Sequence, residues 1–478
     1  MRRRLGREIG RIDKQAPFAV ALAYPASYAV GMSSLGFQRI YRAIQAEPDM
    51  ACERAFLPDR AGSGSLRGPV LSYERLRPLG DFPVVAFSVA YELELGALVQ
   101  MLGAARIPGL REQRDERHPF VLAGGPLTFA NPLPLGALAD AVVVGEADAL
   151  GVQVLRVLRD AGGRRAALHQ LAALAGVFVP ARHGSSLPEL ARCDDALLPA
   201  FSAISTPEAE LGDMFLVEAE RGCSRGCAYC VMRRSAMRTV AAERILELVP
   251  PGAKRVGLVG AAVSDHPRIG WLVRALAQRG IEVGLSSLRP DRLSEELVAA
   301  LRPARSRTLT TALDAPSARL RERLGRDVSE EHALRAAELA REHGLLRLKL
   351  YLMVGLPGET DADVDEGAAL VTRLSRLVPV SLGVAPFCAK RGTPLQGQPY
   401  AGIGTVGARI ARLRRALAGR AEVRATSPRW AWVEHALAQG GLRQGQAVWK
   451  AVCEGGRFRD YQAALAHAAT APAGASVL

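Results

Sequence analysis

Short apolar runs recur along this chain, separated by stretches with helical spacing. From Met214 the alternation is regular. Residues 214–218, 255–260, 281–287, 308–313, 347–354 and 380–387 each read as a buried strand. Between them, 329–343 carries Ala333, Leu334, Ala337 and Leu339 at helical spacing, and Thr360-Asp361-Ala362-Asp363 reads as a capping box opening another helix. Strand and helix in strict alternation predict a β/α barrel with parallel strands, whose chemistry sits at the strands' C-terminal ends.

The first third repeats the pattern more loosely. Residues 18–25, 84–89, 120–126 and 141–148 read as strands; a helix opens near Gly31, capped by Ser33 or Ser34, and another covers 92–102. This predicts an α/β fold with an open parallel, Rossmann-like sheet over 15–160, its ligand site at the strands' C-terminal ends. Residues 161–210 are rich in Ala, Arg and Pro and read as a connector with one short helix. The barrel occupies 211–400. Residues 401–478 read as a small helical C-terminal region, with Trp430, Trp432 and Trp449 as packing residues.

Composition narrows this picture. A chain of 478 residues suits two or three domains, and 49% hydrophobic with 23% charged residues is globular. No run is long and apolar enough to span a membrane. The start, Met1-Arg2-Arg3-Arg4, has no apolar segment behind it, so no secretory signal is expected and the location is read as cytoplasmic. The net charge of +14 invites a nucleic-acid partner. Against it, only five of the 62 basic residues are lysine, the arginines are scattered, and aromatics are 5%. Nucleic acid is disfavoured.

The chemistry concentrates in Arg221-Gly222-Cys223-Ser224-Arg225-Gly226-Cys227-Ala228-Tyr229-Cys230. Three thiolates spaced C-x3-C-x2-C can converge on one metal centre, and thiolate is the ligand of iron–sulfur clusters. Three ligands on a four-iron cubane leave one iron open to bind a small molecule. Structural zinc is the competing reading, but it takes four ligands, and the nearest downstream histidine is His266. Disulfides do not suit seven scattered cysteines.

Cys223, Cys227 and Cys230, with Tyr229 before the last, resemble the signature of the radical S-adenosylmethionine (radical SAM) superfamily. The resemblance implies a partial (β/α)6 TIM-type barrel and a [4Fe-4S] cluster on these cysteines. It implies S-adenosylmethionine at the open iron, cleaved reductively to a 5′-deoxyadenosyl radical, and an electron donor such as flavodoxin or ferredoxin. It also points to strand-end residues as cofactor contacts. After the second barrel strand, Gly260 and Ala261 stand near the amino group of S-adenosylmethionine, although the family's usual Gly-Gly-Glu is here Gly260-Ala261-Ala262. After the third, Ser287 and Arg289 suit its carboxylate and ribose. After the fourth, Asp314 stands in for the usual glutamate, one carbon shorter. After the fifth, Gly355 and Gly358 resemble the segment against the adenine. Asp265-His266-Pro267 reads as a helix start, and Cys388 as a small buried residue.

Gly124-Gly125-Pro126 and Val144-Gly145-Glu146 are similar to the cobalamin-binding domain that precedes many such barrels. The Asp-x-His-x-x-Gly signature is absent from all eight histidine contexts. Either cobalamin binds without a histidine ligand, or the domain is vestigial or repurposed. The implied activity is radical SAM chemistry, with cobalamin-dependent methylation or C–C chemistry foremost. Methylthiolation of RNA or protein is an alternative, but it needs a second cluster on three N-terminal cysteines, and only Cys52 and Cys193 precede Cys223. A non-catalytic cluster or zinc protein is the other. The pattern names no catalytic acid or base.

Overall fold

In the computed structural model, which describes residues 1–59, 62, 66, 68–286 and 288–470, the chain divides into two compact units. The first comprises residues 1–213 and 436–478, the second 214–435. No described helix is long and apolar enough to cross a membrane.

In the first unit, β1 (Phe18–Tyr24), β2 (Met50–Phe56), β3 (Val84–Ser88), β4 (Phe120–Gly124), β5 (Ala141–Val143) and β6 (Val177–Phe178) form one sheet in the order β2-β1-β3-β4-β5-β6. The first five strands are parallel and β6 is antiparallel to β5. β1, β3, β4 and β5 are near-continuous apolar runs, as in parallel sheets covered on both faces, while β2 buries Glu53 and Arg54. Ser34 caps the helix Leu35–Ala46, its Oγ accepting the Phe37 N–H. The strand order reverses beside β1, which places a crevice between the ends of β1 and β3.

Three expectations change here. β2 is a strand where none was read, because Glu53 and Arg54 interrupt its apolar pattern. Residues 161–210 do not form a mere connector: the helix Arg164–Ala172 and the edge strand β6 build them into the unit. The helical region expected over 401–478 divides, with 436–478 joining the first unit. The reason is small residues at the contact. A Cβ on Gly109 would lie 2.5 Å from Trp449, and one on Gly445 2.1 Å from the Pro134 carbonyl. Asn131 Nδ2 donates to the carbonyls of Leu437 (3.0 Å), Ala438 (3.1 Å) and Gly440 (2.8 Å), which ends the helix Pro428–Gln439 against the unit.

The second unit contains β7 (Met214–Glu218), a two-strand ribbon of β8 (Glu220–Arg221) and β9 (Arg238–Thr239), then β10 (Arg255–Val259), β11 (Glu282–Leu285), β12 (Thr308–Asp314), β13 (Arg347–Val354), β14 (Val380–Pro386) and β15 (Ala421–Ala425). The parallel strands run β7-β10-β11 and β12-β13-β14-β15. A parallel bridge, Leu288 to Thr311, joins the two groups. Among the described residues no pairing returns β15 to β7, so the barrel is partial. It has one strand more than expected: β15 stands where only helix was read.

Burial alternates along β13, with Leu348, Leu350, Leu352 and Val354 inside. The helix Glu330–Glu342 opens on Ser329, whose Oγ accepts the His332 N–H, while His332 Nδ1 accepts the Ser329 N–H. Asp363 accepts from both the N–H and the hydroxyl of Thr360, opening the helix Asp361–Ser375.

Candidate active site

The ribbon β8–β9 pairs Glu220 with Thr239 and Arg221 with Arg238, closing a loop that carries all three motif cysteines. Gly222 enters that loop at φ +86°, and a Cβ there would lie 2.3 Å from the Ala236 carbonyl. The Cys223 N–H donates to Ser235 (3.0 Å) and the Cys230 N–H to Cys227 (3.2 Å). The Ala228 N–H donates to Leu324 (2.8 Å), and Ala228 accepts from Leu395 (3.4 Å). The loop is thus held by its backbone rather than by its thiols. Cys227 is buried, Cys223 and Cys230 half-buried, and none forms a disulfide. Burial pushes the Cys223 and Cys230 thiols up. Thiolates at these positions therefore need nearby cations, which a cluster's irons supply. The donor set fits a three-cysteine cluster.

Charged residues from several strand ends gather around the loop. Arg225 lies 3.6 Å from Asp265, 3.5 Å from Asp291 and 3.5 Å from Asp327. The Ser224 hydroxyl donates to Asp265 (2.9 Å). Arg289 is buried and meets Asp291 with both Nε (3.1 Å) and Nη2 (2.8 Å). Burial works against the Asp291 carboxylate, but the Arg289 hydrogen bonds prevail and hold it below its ordinary range. Arg289 is therefore fixed in a forked ion pair rather than free in a turn.

The remaining expected residues sit as follows. Ser287 lies outside the described residues. Asp314 takes φ +65° at an irregularity in the β12–β13 register, and Arg326 holds it at 2.6 Å. Gly355 and Gly358 take φ +83° and +68° in the turn after β13. Glu359 staples that turn, accepting the N–H of Gly355 (3.0 Å) and of Leu356 (3.1 Å), and Arg409 pairs with it at 3.1 Å. Gly260 and Ala261 follow β10. The Gly260 carbonyl accepts the Ser286 hydroxyl at 2.9 Å. His266 is structural: it bridges the Val240 carbonyl (2.8 Å) and the Arg268 N–H (3.2 Å). Cys388 donates to the Ala431 carbonyl at 3.2 Å.

Sequence reasoning missed Glu220. It lies three residues before Cys223 and is 1% exposed. Its Oε1 accepts the Ala262 N–H at 2.6 Å, and a Cβ on Gly260 would meet that oxygen at 2.1 Å. The signal available was a second carboxylate in an otherwise apolar run, Leu216-Val217-Glu218-Ala219-Glu220, at the end of a barrel strand.

Burial above all pushes Glu220 up to about 7 from 4.5. The folded chain thus binds this proton more tightly than the unfolded chain. The resulting stability is complete below about pH 4.5 and is lost as pH rises through about 7. In denaturant melts of the metal-free protein, wild type should lose stability relative to Glu220→Gln between about pH 5 and about pH 8. Parallel curves would contradict this.

In the first unit, Glu146 and Asp148 follow β5 and stand beside Cys193; one ligand atom from each lies within 4.8 Å of the others. Arg39 pairs with Asp148 at 3.0 Å, and the Cys193 N–H donates to Glu146 at 2.9 Å, so these acids are engaged in the fold. The turn after β1, Pro25-Ala26-Ser27, holds no histidine.

Residues 36–180 match the family described as radical SAM proteins, N-terminal, and residues 217–371 match the radical SAM superfamily. The uncharacterized protein MJ0966 of Methanocaldococcus jannaschii is 26% identical over 80% of each chain. A tRNA-2-methylthio-N(6)-dimethylallyladenosine synthase of Syntrophomonas wolfei is 30% identical over 32% of this chain and 38% of its own. Among solved structures, the cobalamin-dependent S-adenosylmethionine radical enzyme OxsB, with aqua-cobalamin and S-adenosylmethionine bound, superposes with a TM-score of 0.51 at 12% identity. That match covers 84% of this chain and 55% of OxsB, and it concerns the fold.

Proposed function

We propose that this chain, a member of the radical SAM superfamily and an enzyme, holds a [4Fe-4S] cluster on Cys223, Cys227 and Cys230 and starts radical chemistry on an organic substrate. The observation that carries the reading is the clasped loop at the end of β7, with three undisulfided thiols held by backbone hydrogen bonds. When bound, the cluster supplies one-electron reduction of the sulfonium of S-adenosylmethionine.

The chain's own residues bind and orient. Gly260 and Ala261 bring the backbone after β10 to the ligand's amino-acid end, with the Glu220 carboxylate packed against Gly260. Arg289, braced by Asp291, offers a fixed cation to its carboxylate. Asp314, held by Arg326, faces the ligand from the end of β12. The Gly355–Gly358 turn, stapled by Glu359, offers a flat surface to the adenine. The reading carries with it a one-electron donor such as flavodoxin or ferredoxin and a cytoplasmic location.

The first unit's strand order supplies a crevice at its switch point, but no histidine stands in its first turn. The residues do not fit a histidine-ligated cobalt, and no step is assigned to cobalamin. Cobalamin-dependent methylation joins the reading only if protein incubated with cobalamin acquires the cofactor's absorption spectrum.

Anaerobic reconstitution followed by iron analysis tests the proposal. About four irons per chain are expected. About eight would favour the methylthiotransferase reading, which the S. wolfei similarity supports and the cysteine count opposes. No iron would overturn both.

A further inference from the structure

We infer that Arg326 tunes the reduction potential of the cluster through the Cys227 sulfur, and that Asp314 limits its effect. The inference rests on the radical SAM reading above.

Arg326 follows the helix Ala318–Arg323 and is 9% exposed. Its chain segment is laid along the cysteine loop. The Leu324 carbonyl accepts the Ala228 N–H at 2.8 Å. Gly325 takes φ +62°, and a Cβ there would lie 3.8 Å from the Gly226 carbonyl. The Arg326 N–H donates to the Arg321 carbonyl at 2.9 Å, which ties the segment back to its helix. These contacts fall on the residues either side of Cys227, and the Arg326 guanidinium meets the thiol between them. The same guanidinium donates from Nη2 to the Ala312 carbonyl at 3.3 Å and sets Nε 2.6 Å from Asp314. Five donors in one plane let it serve a carbonyl, a carboxylate and a sulfur together. The other two thiols face backbone N–H groups, Cys223 that of Arg225 and Cys230 that of Met232. Two sulfurs thus face neutral amides, and the buried one faces a charge.

Reduction adds one electron to the cluster. A fixed cation against a ligand sulfur favours the more negative state, so the reduction potential rises. Burial strengthens the effect, because screening by water and salt is weak there. Arginine keeps its proton, so the charge is permanent. Asp314 opposes it, its carboxylate standing between the Tyr229 hydroxyl and Arg326. One ion pair therefore presents two opposite charges to one sulfur, and loss of either moves the potential in its own direction. A higher potential eases loading by the electron donor and weakens delivery to the sulfonium. Arg326 and Asp314 set that compromise. Arg326 acts through Cys227 and not on the substrate. A role confined to bracing the fold would need only its Asp314 and Ala312 contacts.

Redox titration of the anaerobically reconstituted protein, without S-adenosylmethionine, tests this without reading turnover. The midpoint is read from the electron paramagnetic resonance signal of the reduced cluster, and iron is counted on the same samples. Arg326→Gln keeps a planar donor and removes the charge. It should disfavour the reduced cluster about tenfold, which is ~59 mV downward for one electron. Arg326→Lys keeps the charge and should lie closer to wild type. Asp314→Asn should shift the midpoint upward, and asparagine tolerates the φ of +65° at that position. A midpoint in Arg326→Gln equal to wild type, with iron retained, would overturn the inference. So would shifts of the same sign in Arg326→Gln and Asp314→Asn, which mark a structural role. Should Arg326→Gln fail to hold iron, Asp314→Asn decides: a raised midpoint upholds the inference, and an unchanged one or lost iron overturns it. A wild-type protein with no reducible cluster would overturn the functional reading itself, and this inference with it.

Discussion

Cys227→Ala yields a folded protein without iron. Of the three motif thiols, Cys227 is the buried one; its thiol meets the Arg326 guanidinium, while the contacts that pin the loop are made by backbone. The loop is pinned through the Ala228 backbone to Leu324 and Leu395, and the ribbon β8–β9 closes it. Removing one sulfur atom therefore costs on the order of 1 kcal/mol of packing. Two thiolates do not retain a cubane cluster, so iron after reconstitution should fall from about four per chain to near zero. Visible absorption and 5′-deoxyadenosine production should fall to background. Cys388→Ala and Cys453→Ala are the controls: one thiol is spent on the Ala431 carbonyl and the other is exposed, so both variants should keep their iron. Iron and turnover retained in Cys227→Ala would refute the ligand assignment.

Gly222→Ala should be the most damaging single-methyl change in the second unit. The residue has φ +86°, and its added Cβ would lie 2.3 Å from the Ala236 carbonyl oxygen and 2.7 Å from that of Ser235. Backbone atoms cannot step aside as a side-chain end can. The left-handed conformation alone costs alanine about 1–2 kcal/mol, and the collision adds to it. We expect a loss of at least about 2 kcal/mol in denaturant melts. The ribbon should open, and reconstitution should yield under half the wild-type iron. A variant with unchanged stability and full iron would show that the ribbon does not shape the site. The comparison also separates ligand from scaffold, since Cys227→Ala loses nearly all its iron for on the order of 1 kcal/mol of stability.

Most of the second unit was legible because its strands are short runs of mainly apolar residues, which stand out against helical spacing. β15 was not. Ala421-Glu422-Val423-Arg424-Ala425 alternates half-buried and exposed residues, and the strand lies at the sheet's end behind a basic helix. A two-residue strand such as β6 carries no pattern at all, which made 161–210 read as a connector. The joining of 436–478 to the first unit was invisible for another reason: it depends on glycines at 109 and 445 meeting residues far away in sequence.

The site divides in the same way. Its local part was readable: the cysteine spacing, and the glycines of the turn after β13. Its charged part was not, because it exists only where strand ends meet. Arg225, Asp265 and Asp291 come from three different loops, and Arg289 gained a forked partner that spacing could not reveal. Glu220 shows this most clearly. In sequence it is one acid beside another; in space it occupies the gap left by Gly260.

The most direct measurement is of 5′-deoxyadenosine. The anaerobically reconstituted wild-type protein is mixed with S-adenosylmethionine and a low-potential chemical reductant, and the nucleoside is followed by chromatography. The account predicts 5′-deoxyadenosine and methionine in equal amounts, dependent on iron, on reductant and on Cys227. A protein that carries its four irons and binds S-adenosylmethionine, yet releases no 5′-deoxyadenosine under reduction, would contradict it.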